Sequence, residues 1–289
     1  LIIYHRVDMD GYFSAALVSL EFPELELVPA DYNKNEVDVV ALIKATKPEV
    51  VWIVDWSLPE EMFDEVIANA GKVIWIDHHE RKINELEKLK DLPGLRRSDV
   101  SAAWLTAEYL NVLEKYDNHL LKMVSDYDTF NFNDADPMNA PCAMFNVGFM
   151  SMRTEDPGKM VDVVKACLEE ESSCVLADFT ERGAIILNDR INSETIASKN
   201  AIFKGNVAFV NATCNPNYFP QYIKGVNYIV VWYMLKDGRI KCNFRSAKEG
   251  GSDVSEIAAG LGGGGHKNAA GCVITMERFN KEFKLWDKK

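Results

Sequence analysis

Apolar positions along the chain follow two rhythms. Unbroken runs at residues 1–4, 50–54 and 73–76 read as strands buried on both faces, because a strand covered on one face alternates instead. Between them the spacing turns helical. Residues 12–20 predict a helix, and residues 25–28 a second short strand. Residues 36–46 place Val37, Val40, Ala41 and Ile43 or Lys44 at helical spacing, and Pro48 stops that helix. Pro59 opens another helix, which runs to residue 70 and is capped by Gly71. Strands alternating with helices predict an α/β fold with a doubly wound, mostly parallel sheet.

Residues 101–114 read as a helix capped by Ser98, Asp99 or Ser101. A further helical stretch leads to Asp126-Tyr127-Asp128, and residues 131–141 form a turn-rich loop. Residues 161–201 are helical throughout, and 174–199 are long enough to bridge two domains. The pattern then returns to strands at 206–210 and in a hairpin of 228–235 with 239–245, turned at Lys236-Asp237-Gly238. A helix over 252–261 is capped by Ser252 or Asp253. The four glycines at 262–265 exclude helix interior; His266 follows, and 272–275 is the last strand. The expected organisation is an α/β domain at 1–180, a helical linker at 181–204 and a smaller α/β domain at 205–289.

Composition narrows the function. A 47% hydrophobic chain of 289 residues supports two cores. A net charge of -12 argues against wrapping a long nucleic acid, yet leaves room for a short phosphorylated ligand held by metals and backbone amides. Six cysteines with no C-x-x-C pair read as reduced thiols, and cytoplasmic residence is the expectation. No apolar run approaches the ~18 residues of a membrane helix, and no signal peptide is visible.

Three buried runs end in ligand-type residues: Tyr4 before His5, Val54 before Asp55, and Ile76 before Asp77-His78-His79. In a parallel sheet those ends share the edge where open α/β sheets bind ligands. His5, Asp8 and Asp10 share one tight turn, and Asp128 or Asp126 comes from further on. Two imidazoles and at least four carboxylates exceed the needs of one metal, and fit two divalent ions sharing a bridging carboxylate. Each position alone has a blander reading, since an aspartate after a strand often caps a helix and most histidines are structural. Yet His5, His78, His79 and His266, four of the five histidines, stand beside carboxylates or the glycine run; His119 is read as structural. A linker would be longer and richer in serine than 262–265, whereas closely spaced amides can cradle a phosphate or carboxylate.

Five segments carry a resemblance: H-R-V-D-M-D-G at 5–11, V-D at 54–55, D-H-H at 77–79, S-D-Y-D-T-F at 125–130 and G-G-G-G-H-K-N-A-A-G at 262–271. In this order, spanning nearly the whole chain, they resemble the DHH phosphoesterase superfamily in the branch with a C-terminal DHHA1 domain. The resemblance implies a DHH metal-binding catalytic domain followed by a DHHA1 substrate-binding domain. It implies two divalent ions, manganese first with magnesium or cobalt as alternatives, and hydrolysis of phosphodiester bonds in short oligonucleotides or dinucleotides. Removal of the 3′-phosphate of phosphoadenosine phosphate and hydrolysis of short polyphosphate are alternatives within that chemistry. A catalytically silent nucleotide-binding protein is the reading from another class, disfavoured because no expected ligand position is replaced. The substrate is the implied partner, and a homodimer is open to the chain.

Carried over position by position, the resemblance gives one metal to His5, Asp8 and Asp55. The second goes to Asp10, Asp55, His78 and Asp128, with Asp126 as the alternative to Asp128. Asp77 would orient His78, and His79 would face the scissile phosphate as donor or leaving-group acid. Arg245, Gly264, Gly265 and His266 would contact the substrate phosphate and nucleotide. Two departures stand out. Many relatives have one more residue between the first histidine and the first aspartate than Arg6-Val7 here. A glycine common in the fourth motif is absent from residues 128–132, which keeps Asp126 open.

Overall fold

Four parallel strands, in the order β2-β1-β3-β4, organise the first half of the chain. They are β1 (Ile2–His5), β2 (Leu27–Ala30), β3 (Val50–Val54) and β4 (Lys72–Ile76). The computed structural model describes every residue except 32–37, 90, 117, 133–139, 170–171, 214–218, 220–222, 248–249 and 286–289. It forms two compact units, Leu1–Leu187 and Asn188–Lys289.

The unbroken apolar runs have a direct cause. Ile2, Tyr4, Trp52, Val54, Ile74 and Ile76 face one core, and Ile3, Val51, Ile53, Val73 and Trp75 face another. Helix α1 (Met9–Glu21) and α5 (Ala102–Tyr109) pack on the first face. Helices α2 (Val39–Thr46) and α3 (Glu60–Asn69) cover the second through Ile43, Phe63 and Val66. The sheet is thus doubly wound, as the alternation predicts.

Boundaries differ where side chains or backbone geometry override periodicity. Helix α1 starts three residues before position 12, because Asp8 caps it by accepting from the Gly11 N–H. The expected helix over 101–114 ends at Tyr109, where Leu110 closes it and Asn111 turns left-handed at φ 57°. Gly71 is not a left-handed cap: α3 ends through an extended Ala70, and Gly71 is small because a Cβ there would lie 2.6 Å from the Glu49 carbonyl. After α4 (Glu80–Glu85), a short helix unread in the sequence, come α6 (Asn118–Asp128) and α7 (Pro141–Met150). Helix α7 also escaped the reading because Cys142, Ala143, Phe145, Asn146, Val147, Gly148 and Phe149 are all buried, which leaves no polar face to set a period. The stretch 161–201 is two helices, α8 (Pro157–Glu169) and α9 (Ser172–Lys199). Most of the loop expected at 131–141 lies outside the described residues.

The second unit is a six-stranded sheet in the order β5-β6-β7-β8-β10-β9. Its strands are β5 (Ile202–Lys204), β6 (Val207–Asn211), β7 (Tyr228–Met234), β8 (Ile240–Arg245), β9 (Gly264–His266) and β10 (Ala269–Ile274). Among them β6 and β7 run parallel and the other pairs antiparallel. Helices α10 (Val254–Gly260) and α11 (Met276–Phe283) cover one face, packing Val254, Ala258 and Phe279 on Ile240, Cys242, Phe244, Cys272 and Ile274. Three elements here, β5, β9 and α11, were not legible in the sequence. The glycine run is part of an edge strand rather than a loop, since Gly264–His266 pair antiparallel with Ala269, Ala270 and Gly271. Among the described residues no helix is long and apolar enough to cross a membrane.

Candidate metal centre

The carboxyl ends of β1, β3 and β4 lie side by side, and each delivers ligand-type groups: His5, Asp55 and Asp77-His78-His79. The turn after β1 adds Asp8 at the cap of α1 and Asp10 in its first turn. That turn is tight enough to require Gly11, where a Cβ would fall 1.8 Å from the His5 carbonyl oxygen. Asp128, the last residue of α6, completes the group.

These side chains converge. His5 Nδ1 stands 2.8 Å from Asp8 Oδ2 and 3.5 Å from Asp55 Oδ2. His78 Nε2 stands 3.0 Å from Asp128 Oδ2, 3.5 Å from Asp55 Oδ1 and 3.7 Å from Asp10 Oδ2. Three sets have ligand atoms mutually within 4.8 Å: His5 with Asp8 and Asp55, Asp10 with His78 and Asp128, and Asp55 with His78 and His79. Asp55 sits between the two imidazoles, in the left-handed region at φ 52°, which an aspartate tolerates better than most residues. It is buried, and neither of its oxygens accepts a well-formed hydrogen bond.

The electrostatics of the cluster follow from burial and from carboxylates crowded together. Burial first, then the neighbouring carboxylates Asp55 and Asp128, push Asp10 well above the usual carboxylate range. Burial and then the charge of Asp8 raise Asp55. Burial opposes the charging of His78, yet its contacts with Asp128 and Asp55 push it up to about 12. His5 is raised to about 10 in the same way, against burial, by Asp55 and Asp8. Protons thus hold together a group of like charges that a divalent cation would neutralise. A buried carboxylate without a well-formed hydrogen bond and a mixed oxygen and imidazole set suit such a cation, so the residues present fit a metal.

Asp126 and Asp128 part company. Asp128 turns to His78, whereas Asp126 is engaged by Lys122 Nζ at 2.7 and 2.6 Å and by Asn131 at 3.2 Å. Asp10 also works outside the cluster, where its oxygens accept the Ala102 and Ala103 N–H groups, each at 2.8 Å, at the start of α5. A carboxylate at a helix N-terminus is favourable, and here it ties α5 to the site.

Asp77 holds a different imidazole from the one expected. Its Oδ1 lies 2.7 Å from His79 Nδ1, and it meets His78 only through the backbone N–H, also at 2.7 Å. Its Oδ2 accepts the Ser57 hydroxyl, and Oδ1 also accepts the His79 N–H at 3.1 Å. The expectation that Asp77 orients the His78 ring therefore gives way to Asp77 orienting His79. The His78 ring turns towards Asp10, Asp55 and Asp128 instead. Sequence reading missed Ser57, whose only signal was a hydroxyl two residues beyond Asp55. Against burial, the His79 contact and then Ser57 hold Asp77 below its ordinary value.

In the second unit, Arg245 and His266 fall on one row of the sheet. Arg245 pairs with Ala269, and Ala269 pairs with His266, so both side chains project from the same face. Arg245 lines a small pocket with Tyr228, Ser246 and Ala247, and burial lowers its pKa. Gly264 sits opposite Gly271, and Gly265, at φ 145°, adopts a backbone that a side chain would strain.

Residues 220–288 match the DHHA1 domain family. Oligoribonuclease NrnB of Bacillus subtilis is 25% identical over 303 aligned positions, covering 95% of this chain and 73% of that protein. The solved structure of the pGpG-specific phosphodiesterase PggH from Vibrio cholerae superposes with a TM-score of 0.61 at 14% identity, covering 98% of this chain and 96% of that one. The C-terminal residues thus match the DHHA1 domain family, and the whole chain is similar to an oligoribonuclease and shares its fold with a phosphodiesterase.

Proposed function

We propose that the protein is a metal-dependent phosphodiesterase acting on short oligonucleotides or dinucleotides. The carrying observation is Asp55, a buried carboxylate without a well-formed hydrogen bond, set between two imidazole and carboxylate sets at the ligand-binding edge of the sheet. The two similar proteins act, by their names, on oligoribonucleotides and on pGpG, which supports this substrate class.

In this reading His5, Asp8 and Asp55 would hold one ion, and Asp10, Asp55, His78 and Asp128 would hold a second, with Asp55 serving both. Manganese is the proposed metal. When bound, such ions supply the positive charge that a phosphoryl group needs to accept a nucleophile. The chain's own groups do the rest. Asp77 fixes His79 with Nδ1 turned inward, which leaves Nε2 to donate to the phosphate or to the leaving oxygen. Arg245 and His266, which share one face of the second sheet, and Gly264 and Gly265 of β9 would contact a phosphate and a base of the substrate.

The test is direct. The protein with manganese is given pGpG, short RNA, cyclic dinucleotides, phosphoadenosine phosphate and short polyphosphate, and the products are resolved by chromatography. Cleavage of pGpG and di- to pentanucleotides is expected. Turnover of polyphosphate alone, or of phosphoadenosine phosphate alone, would overturn the reading.

A further inference from the structure

Two thiols face each other in the core of the second unit. Cys242 on β8 and Cys272 on β10 are register partners, and both are buried. Neither belongs to the proposed metal or substrate machinery. Both project towards α10 and α11, on the face opposite Arg245. Ser246 N–H bonds to the Asn268 carbonyl just beyond the strands, and that pair lies four residues along the same ladder. Cys242 and Cys272 therefore occupy a hydrogen-bonded antiparallel pair, whose Cα atoms stand ~5.5 Å apart. Disulfides span Cα separations of about 4.4–6.8 Å, which this pair meets, but they hold Cβ atoms about 3.5–4.5 Å apart, closer than a hydrogen-bonded pair, so closing the bond draws the two strands together locally and leaves it easily reduced.

We infer that Cys242 and Cys272 form an oxidisable dithiol, a modification site that takes a small peroxide as oxidant and closes to a cross-strand disulfide. Three observations bear on the chemistry. The contact between the two thiols, with Lys241 and Arg278 adding positive charge near Cys272, holds Cys272 below the ordinary thiol range and Cys242 above it. The thiolate is the nucleophile, so Cys272 reacts first. Its neighbour across the ladder is already in contact and serves as the resolving thiol. Access comes from the edge of the sheet. Gly263 lies so close to Cys272 that a Cβ on it would stand 2.6 Å from the Cys272 Cβ, and the exposed three-residue strand β9 follows directly. Displacing a short glycine-rich edge strand uncovers Cys272 more easily than opening the helical side of the core.

The step balances. The Cys272 thiolate attacks one peroxide oxygen, the O–O bond breaks, and the other oxygen leaves as water after taking a proton. This gives a sulfenic acid on Cys272. The Cys242 sulfur then attacks that sulfur, the S–O bond breaks, and a second water leaves with the Cys242 proton. Two thiols lose two electrons, and the peroxide gains them. Because Gly263 rests on Cys272, the new bond also changes the seating of the segment that carries His266.

The test is incubation of the folded, reduced chain with hydrogen peroxide, followed by alkylation, proteolysis and mass spectrometry. The expected product is a linked pair of peptides containing Cys242 and Cys272, lighter by two hydrogens and restored by a reductant. Amide exchange at 262–266 should differ between the two forms. In Cys242→Ala, checked for its fold by circular dichroism, Cys272 should stop at a sulfenic acid that dimedone traps. Thiols left intact after overnight treatment, a link through other cysteines, or sulfenic acid accumulating on Cys272 of the wild type would each overturn the inference. None of these readouts requires phosphodiesterase activity, so they stand apart from the reading of the metal site.

Discussion

Asp77 Oδ1 lies 2.7 Å from His79 Nδ1, and the other Asp77 oxygen accepts the Ser57 hydroxyl. Both Asp77 and Ser57 are buried, so this carboxylate has no solvent to turn towards. It is locked from both ends and in turn locks one imidazole. His79, at 41% side-chain exposure, is the member of the chain that can reach a substrate.

Ser57→Ala should therefore act on the chemistry through Asp77. Losing one charge-assisted hydrogen bond is worth ~1.5–3 kcal/mol, or roughly 10- to 150-fold if all of it falls on the transition state. We expect kcat on a dinucleotide to fall within that range with KM little changed, and Ser57→Thr to recover most of it. Metal content should stay at the wild-type level, because the Ser57 hydroxyl bonds to Asp77, which is not a proposed ligand. Wild-type kcat in Ser57→Ala, or lost metal, would show that the hydroxyl merely fills space.

Asp55→Asn tests the shared carboxylate. Both ions depend on it in the proposed arrangement, so metal per folded chain should drop towards zero and turnover by more than roughly 100-fold. The metal-free proteins should behave in the opposite way. Burial and Asp8 raise the Asp55 pKa, so its ionised form costs stability, and that cost grows as pH rises through the folded value. At pH 8 without metal, Asp55→Asn should unfold higher, by roughly 2–4 °C for each kcal/mol relieved. Two metals retained per chain would place the bridge elsewhere.

The fourth motif can be settled by a pair of variants. Asp128→Ala should lower occupancy of one ion, since its Oδ2 lies 3.0 Å from His78 Nε2. Asp126→Ala should leave metal content unchanged, because that carboxylate is paired with Lys122 across one helical turn. An exposed pair of this kind contributes about 0.3–0.5 kcal/mol, so stability should barely move. Metal loss in Asp126→Ala with none in Asp128→Ala, read by elemental analysis, would reverse the assignment.

Much of this site was legible because the strands that carry it are buried on both faces. An apolar run that ends abruptly at Asp55 or at Asp77-His78 marks its own carboxyl edge, and parallel pairing does the converging. What stayed hidden depended on side chains meeting across the fold. No periodicity announces that Asp10 anchors α5, that Ser57 reaches Asp77, or that the imidazole held by Asp77 is His79. Helix α7 was invisible for the reverse reason, since a helix buried all round has no polar face to count from. The glycine run was recognised as special but not as a strand, because an edge strand made of glycines has no side chains to alternate.

Glu194 on α9 gives the last prediction, one that concerns stability alone. Its side chain is fully buried, and neither oxygen accepts a hydrogen bond. Burial raises its pKa from 4.5 to about 7, only partly offset by the charge of Arg190. The folded chain therefore binds a proton that the unfolded chain releases near the ordinary glutamate value. Between those two values the folded state holds more protons, so stability falls as pH rises. The contribution is fully present below about pH 4.5 and is lost once pH passes about 7. Glu194→Gln keeps the shape and cannot ionise. It should raise stability at pH 8 by roughly 1–3 kcal/mol, with little effect at pH 5. Urea unfolding of both proteins at the two pH values, followed by circular dichroism, makes the comparison. Parallel pH profiles for wild type and Glu194→Gln would mean that Glu194 finds a partner or solvent in solution, and that the buried carboxylate is not what makes α9 sensitive to pH.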